Sequence, residues 1–437
     1  EQAPGVVSGQ AQDEPRLAVL FTGQGSQYPG MAQALTSSFP VFRDAFEETC
    51  THLDAHLTGH APHSVADVVL GEHGEHGDLI HQTLYTQPAL FAIETALFRL
   101  LEDLGLKPDF LAGHSIGELT AAHCAGMLTL PDAAALVAAR ARLMHTLPTG
   151  GAMLTTTATE TDVRDFLPPN VDIAAVNSPT NTVLSGPADT IDTLAKDLTS
   201  RGHKARTLTV SHAFHSALMD PILDDFHAIA ATLTFQTPHT PIASALTATL
   251  DNPDHTTPDY WTRHIRGTVR FADTLTTLHQ AGTTTYLELG PDTTLTTLTA
   301  QTLPQGTHTI PTLRPNTDDT HATLTALARL HTHGHPINLT PLLGKTTTPI
   351  DLPTYAFQHH PYWLTTATHS ADPTHIGQTT TDHPLLGAAI ELPDSDGILF
   401  TSRWSLTTHP WLADHAAGGT TLVPGAALTD LLIRAGD

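Results

Sequence analysis

The sequence predicts an α/β protein in which a large subdomain of alternating strands and helices is interrupted by a smaller one. Three observations lead there. Short apolar runs at 17–21, 110–112 and 283–291 sit among stretches of helical apolar period, the pattern of buried strands joined by crossover helices. Between about 150 and 210 the order becomes strand, helix, strand, strand, helix, strand, which is the ferredoxin-like arrangement. A chain of 437 residues also exceeds what one compact core usually holds, so about two to four domains are expected.

Taken in order, residues 1–15 are rich in Gly, Gln, Pro and Glu and read as a linker. "LAVLFTGQGSQ" begins with a buried strand at 17–21 and runs into a Gly-rich loop, with helical patterns around 30–57 and 88–104. Phe110, Leu111 and Ala112 form the next strand end, and an Ala- and Leu-rich helix follows from Glu118. "PDAAALVAARARLM" opens with Pro131 and Asp132, residues suited to a helix start. The insertion reads as strand 151–157, helix 160–167, strands 171–176 and 181–186, helix 188–201 and strand 204–210. From about 231 to 380 the chain is rich in Thr, His and Pro, yet "HATLTALARLHTHG" keeps a helical period, so the segment is biased but foldable.

Composition excludes several functions. Nineteen basic against 44 acidic residues give a formal charge of -25, which argues against nucleic acid or an anionic membrane as the main partner. Cys50 and Cys124 cannot build a disulfide framework and suit a reducing cytosol. No apolar run approaches the roughly 18 residues of a membrane span, and the first residues lack a signal-peptide pattern, so a cytoplasmic protein is expected. The absence of an initial Met and the ending "LLIRAGD" suggest a segment cut from a longer chain. "EHGEHG" (72–77) and "HTHGHP" (331–336) lack the spacing of a defined metal site, and no metal is expected.

"PDFLAGHSIGELTAAHCAGML" (108–128) places Ser115 between Gly113 and Gly117, where a strand turns sharply into a helix. A strained turn of this kind exposes a serine hydroxyl and needs small neighbours because the backbone packs closely. Ser115 is therefore a candidate nucleophile or an ordinary turn serine. A base is needed, and 30 histidines prevent a choice by counting; His212 and His215 in "VSHAFHSALM" lie on a turn between a strand and a helix. Backbone N–H groups of Ile116 and of the Gly23-Gln24-Gly25 loop can form an oxyanion hole. The same loop resembles a phosphate cradle but lacks the following Lys-Ser/Thr of a Walker site. Arg140, read alone, covers a helix flank.

"FTGQGSQYPGM", "YTQPALFA", "GHSIGE", "AAVNSPTNTVLSGP", "SHAFHSALM" and "LELGP", in this order, resemble the acyltransferase domain of modular type I polyketide synthases and the related malonyl-CoA:ACP transacylases. The resemblance covers about residues 16–310. It implies a hydrolase-like α/β large subdomain (about 16–149 and 211–310) with an inserted ferredoxin-like subdomain (about 150–210). It further implies Ser115 as the acyl-carrying nucleophile, His215 as its base, and Gln24 and Ile116 as oxyanion donors. The resemblance also implies that Arg140 grips the free carboxylate of the extender unit and that Gln87, His114, Asn177, His212 and Phe214 line or border the pocket. A planar guanidinium with paired donors suits that task. Malonyl users in this family tend to show His-Ala-Phe-His and a residue other than Gln after the nucleophile; His212-Ala213-Phe214-His215 and Ile116 match.

The implied reaction takes malonyl from malonyl-CoA through a seryl ester to the phosphopantetheine thiol of an acyl carrier protein, with no permanently held cofactor. The group orienting His215 is expected to be a backbone carbonyl near "LELGP". "RHIRGTVR" (263–270) offers basic residues to an acidic partner. Neighbouring ketosynthase and dehydratase domains are the other expected partners. Residues 311–365 resemble the linker after such a domain, with Tyr355, Phe357, Tyr362 and Trp363 as anchors. "HPLLG" at 383 and "HPWLADHAAGGTTLVPG" at 409–425 resemble the opening of a hot-dog dehydratase domain, so 366–437 is read as a truncated part of one, poorly ordered or borrowed by a neighbour. His415 carries that motif but lacks its acidic partner, and is expected to be idle. The rival readings are a thioesterase of the α/β-hydrolase type, which shares the turn around Ser115, and a non-catalytic scaffold.

Overall fold

The computed structural model describes residues 5–71, 76–250, 252–343, 351, 353–360 and 372–437. It divides into two units, residues 1–348 and 349–437.

In the first unit, strand β1 (Leu17–Phe21) is followed by helices α1 (Gln33–Ser38), α2 (Pro40–Leu57), α3 (Val65–Leu70) and α4 (Thr83–Asp103). The helical pattern at 30–57 is split because Pro40 lacks an N–H and starts a new helix at its first position. Helix α4 begins earlier than the pattern suggests and carries Pro88 inside it; almost the whole helix is buried, and that packing holds it through the proline. Strand β2 (Phe110–Gly113), α5 (Ile116–Cys124) and α6 (Leu130–His145) complete the first half. Helix α6 is capped by Thr129, whose side chain accepts from the Asp132 N–H.

The chain then enters β3 (Gly151–Thr156), α7 (Glu160–Arg164), β4 (Asp172–Ser178), β5 (Asn181–Pro187), α8 (Ala188–Ser200) and β6 (Ala205–Leu208). These strands form an antiparallel sheet in the order β4-β5-β3-β6, the ferredoxin-like topology expected from the sequence. Ile191, Leu194 and Leu198 lie on one face of α8 and bury against Leu154, Ile173 and Leu184 of the sheet. This apolar cluster is separate from the larger core.

Beyond it come α9 (Leu223–Ala230), β7 (Ile242–Ala243), α10 (Pro258–Arg266), α11 (Phe271–Gln280), β8 (Thr285–Leu289), α12 (Thr294–Thr302), β9 (His308–Pro311), α13 (Asp319–Thr332) and α14 (Thr340–Leu343). Strands β7-β2-β1-β8-β9 make one five-stranded parallel sheet. Every residue of β1 and β8 is buried, as a parallel sheet covered on both faces demands. The core continues past residue 310: Leu313, Ala326, Leu327 and Leu330 belong to it, so the first part of the expected linker is packed structure.

The second unit holds a small antiparallel sheet of β10 (Thr379–Thr380), β11 (Ala388–Glu391) and β12 (Ile398–Thr401). A hairpin of β13 (Ala416–Ala417) and β14 (Thr420–Thr421) and helix α15 (Gly425–Gly436) follow. Residues 372–437 thus carry regular elements, where a tail either poorly ordered or borrowed by a neighbour was expected. Tyr355 and Phe357 meet edge-on with ring centroids 5.1 Å apart, while Tyr362 and Trp363 lie outside the described residues, as does most of "EHGEHG". No helix of the described residues is long and apolar enough to cross a membrane.

Candidate active site

Strand β2 ends at Gly113 and α5 begins at Ile116, so His114 and Ser115 make the whole turn between them. Ser115 has φ 54 and ψ -116, a conformation an L residue holds only when its surroundings force it. Both flanking glycines are required. A Cβ on Gly113 would sit 2.1 Å from the Glu118 nitrogen, and one on Gly117 would sit 2.3 Å from the Phe21 carbonyl oxygen.

Two side chains converge on the Ser115 hydroxyl. His215 Nε2 lies 2.8 Å from it, and Arg140 donates to it from a terminal nitrogen at 3.1 Å. His215 is buried, and its Nδ1 faces the Gly267 carbonyl at 2.9 Å. A carbonyl only accepts, so Nδ1 carries the proton and Nε2 is left as the acceptor for the serine. The orienting carbonyl was expected near "LELGP"; it comes instead from the residue that ends α10. Burial pushes the His215 pKa well below its usual value, and the positive fields of Arg140, His264 and His114 act in the same direction.

Arg140, on α6, is 1% exposed. Its other terminal nitrogen donates to Gln87 Oε1 at 2.5 Å, and its Nε has no partner. Among the described residues no carboxylate pairs with it, and burial pulls it down to about 9. A buried guanidinium without an anion is costly, which marks a place where an anion belongs. Gln87 is itself held by α4, donating to Thr83 Oγ1 at 2.9 Å, and Thr83 in turn donates to Gln24 Oε1 at 3.2 Å.

A cavity of about 640 Å³ opens over Ser115 between the two subdomains. Gln24, His114, Asn177, Phe214 and His215 line it, together with Arg206 of β6. The Gln24 loop approaches the turn closely: a Cβ on Gly23 would lie 2.9 Å from the His114 carbonyl oxygen. Ile116 is the first residue of α5, so its N–H is one of the donors that a helix start leaves unpaired. Asn177 sits at a register shift between Val176 and Ser178 of β4, and this irregularity turns its Oδ1 to within 2.8 Å of His114 Nε2. Burial lowers the His114 pKa, against the opposing effect of that hydrogen bond.

His212 does not line the cavity: its Nε2 lies 3.0 Å from the Leu147 carbonyl, because the turn carries its ring away from Ser115. The arginines of "RHIRGTVR" are also taken. Arg263 pairs with Asp254, Arg266 with Asp172 and Asp220, and Arg270 with Glu160 and Asp273. Among the described residues no group of three or more His, Cys, Asp or Glu could hold a metal, and His333 of "HTHGHP" stacks on His308. In the second unit, His415 Nδ1 lies 3.0 Å from the Leu422 carbonyl. Sequence reasoning missed Thr83, Arg206 and Gly267. Gly267 contributes only its backbone, so no side-chain pattern could have marked it.

Residues 19–336 match the acyl transferase domain family, and residues 383–437 match the polyketide synthase dehydratase domain. Polyketide synthase GfsA of Streptomyces halstedii is 44% identical over 433 residues, covering 97% of this chain and 6% of that protein. Mycoketide-CoA synthase of Mycobacterium tuberculosis is 42% identical over 433 residues, covering 99% of this chain and 10% of its own length. This chain thus spans about a tenth or less of each of these two relatives. Among solved structures, the acyltransferase domain from the second module of the salinomycin polyketide synthase superposes with a TM-score of 0.75 at 45% identity, covering 82% of this chain and 83% of that one. The malonyl CoA-acyl carrier protein transacylase of Coxiella burnetii gives 0.63 at 29% identity, covering 75% and 99%.

Proposed function

The chain belongs to the acyl transferase domain family of polyketide synthases, followed by part of a dehydratase domain, and on that premise we propose that it transfers malonyl from malonyl-CoA to an acyl carrier protein. The observation that carries the reading is the convergence of His215 and an anion-free, buried Arg140 on one serine hydroxyl.

In the first half-reaction His215 Nε2 takes the Ser115 proton as Oγ attacks the thioester carbonyl. The N–H groups of Gln24 and Ile116 receive the oxyanion, CoA leaves as its thiol with the proton returned by His215, and an ester remains on Ser115. In the second, the phosphopantetheine thiol of the carrier protein gives its proton to His215 and attacks that ester, and His215 passes the proton on to Ser115 Oγ as the acyl–oxygen bond breaks and the serine is released. Arg140 holds the malonyl carboxylate throughout, and Gln87 keeps the guanidinium aimed at the serine. An arriving carboxylate also offsets the Arg140 charge that depresses His215, so the correct substrate strengthens its own base.

Phe214 and Ile116 favour malonyl over methylmalonyl: Phe214 lines the cavity, and its bulk would compete with an α-methyl for room. One methyl is worth about 1–3 kcal/mol, so the preference is strong and finite. His415 plays no part in this transfer. Intact mass measurement after incubation with mixed acyl-CoAs tests the proposal. Malonyl on Ser115 that passes to a carrier protein supports it, rapid release of free malonate favours the thioesterase, and absence of any adduct favours a scaffold.

A further inference from the structure

Beneath the site lies a buried polar cluster that the proposed transfer does not use. Glu118, three residues after Ser115 on α5, is 0% exposed and surrounded by donors. Its Oε1 accepts from His255 Nε2 at 3.1 Å and from the Tyr260 hydroxyl. Its Oε2 accepts from the Ala245 N–H at 3.0 Å and lies 3.1 Å from His264 Nε2. Burial alone would raise its pKa, but His264 and His255 outweigh this and hold the carboxyl well below the usual carboxylate range. A fully buried carboxylate with this many partners is more than filling.

The position of these partners gives the cluster a task. Tyr260 and His264 belong to α10, whose next residue after Arg266 is Gly267, the source of the carbonyl that orients His215. The His264 and His215 rings stand 6.2 Å apart and nearly perpendicular. Downstream of Gly267 the chain is already fixed, because Thr268 Oγ1 donates to the Ile173 carbonyl and the Val269 N–H to that of Ala174. Upstream, the tie between α10 and the serine's own helix runs through Glu118.

We propose that Glu118 is a positioning residue: its carboxylate locks α10 to α5 and so sets the Gly267 carbonyl at the distance that keeps His215 Nε2 on Ser115. The inference rests on the acyl-transfer reading above. A backbone carbonyl cannot be adjusted by a rotamer, so its placement depends on the helix that ends there together with the fixed chain that follows. An amide at position 118 keeps the shape but turns one accepting oxygen into a donor, so it cannot accept from His255, Tyr260 and Ala245 together.

The test uses the full chain. Glu118→Gln should lower kcat for malonyl labelling of Ser115 tenfold or more, with KM for malonyl-CoA within twofold of the parent. The downfield proton resonance of His215 Nδ1–H should shift or vanish. Leu53→Ala, a buried truncation in α2 far from α10, serves as the stability control and should lower Tm without lowering kcat of the folded protein. A Glu118→Gln variant with the parent's kcat and an unmoved His215 resonance would overturn the inference. So would a loss no larger than that of Leu53→Ala at matched Tm. Should Glu118→Gln fail to fold, Tyr260→Phe removes one donor and keeps the ring; it should show the same split at smaller size, and parental kcat and resonance there would overturn the idea equally. Failure of the parent chain to label at all would instead strike the acyl-transfer reading, while the resonance still reports on the Glu118 tie.

Discussion

Arg140 donates to the Ser115 hydroxyl at 3.1 Å from a buried position that no carboxylate among the described residues neutralises. A cation held this way, beside a hydroxyl aligned on an imidazole, suits a substrate with a thioester at one end and a negative charge at the other. A carboxylate bound there would meet the same guanidinium that already touches the serine hydroxyl.

Arg140→Ala should therefore lose malonyl transfer selectively. Paired charge-assisted hydrogen bonds are worth about 3 kcal/mol, or roughly a hundredfold in kcat/KM. Acetyl transfer, which brings no carboxylate to the guanidinium, should fall far less. Steady-state rates with malonyl- and acetyl-CoA decide the matter, and equal losses would remove the clamp from the mechanism.

The acid limb of kcat/KM, which reports the free enzyme, should fall below pH 6.5, the ordinary histidine value, because burial and nearby positive groups keep His215 unprotonated. Removing one of those groups reverses part of the effect. In Arg140→Ala the imidazole protonates more readily, so the limb moves upward in pH. The linkage to stability has the same origin: below pH 6.5 the unfolded chain binds a proton that the folded one refuses, so stability drops as pH falls through that window. A pH–rate series on parent and variant, using acetyl-CoA where malonyl transfer is lost, measures the limb directly.

Phe214→Ser should widen acyl selection. Phe214 is 6% exposed and lines the cavity, so truncation opens room beside the α-carbon. The ratio of methylmalonyl to malonyl labelling should rise by about 10- to 100-fold, as removal of a pocket contact of that size predicts. Competition between the two acyl-CoAs, read by mass, gives the ratio.

Gly117→Ala should fail structurally before it fails catalytically. The added methyl would meet the Phe21 and Thr22 carbonyl oxygens at 2.3 and 2.5 Å, both on rigid backbone. A loss above about 3 kcal/mol is expected, enough to lower Tm by many degrees or prevent soluble expression. An unchanged melting curve would show that the turn can relax.

The strands were legible because a buried parallel strand is apolar throughout, as in Leu17–Phe21, and the insertion was legible because its two helices and four strands alternate cleanly. Ser115 stood out through its glycines, which answer a steric demand written into the sequence. Read alone, Arg140 covered a helix flank, and only the resemblance gave it a carboxylate to grip; the structure buries it with no carboxylate partner among the described residues. The orienting carbonyl of Gly267 was illegible for a plain reason: every residue has one, and only the path of α10 selects it. The arginines around it misled in the opposite sense, since their charges are spent on Asp254, Asp172, Asp220, Glu160 and Asp273 inside the same chain.

The insertion is divided between the two apolar clusters, with a mechanical consequence. The walls of the cleft come from the parallel-sheet body and from the insertion, joined by two chain crossings and by buried ties such as those between Val269 and Ala174 and Val176, while Met153, Ala174, Ala175 and Val183 of the insertion pack into the larger core. Spreading those walls would strip apart apolar side chains shared between them, so the width of the entrance is set by packing and not by a loose hinge.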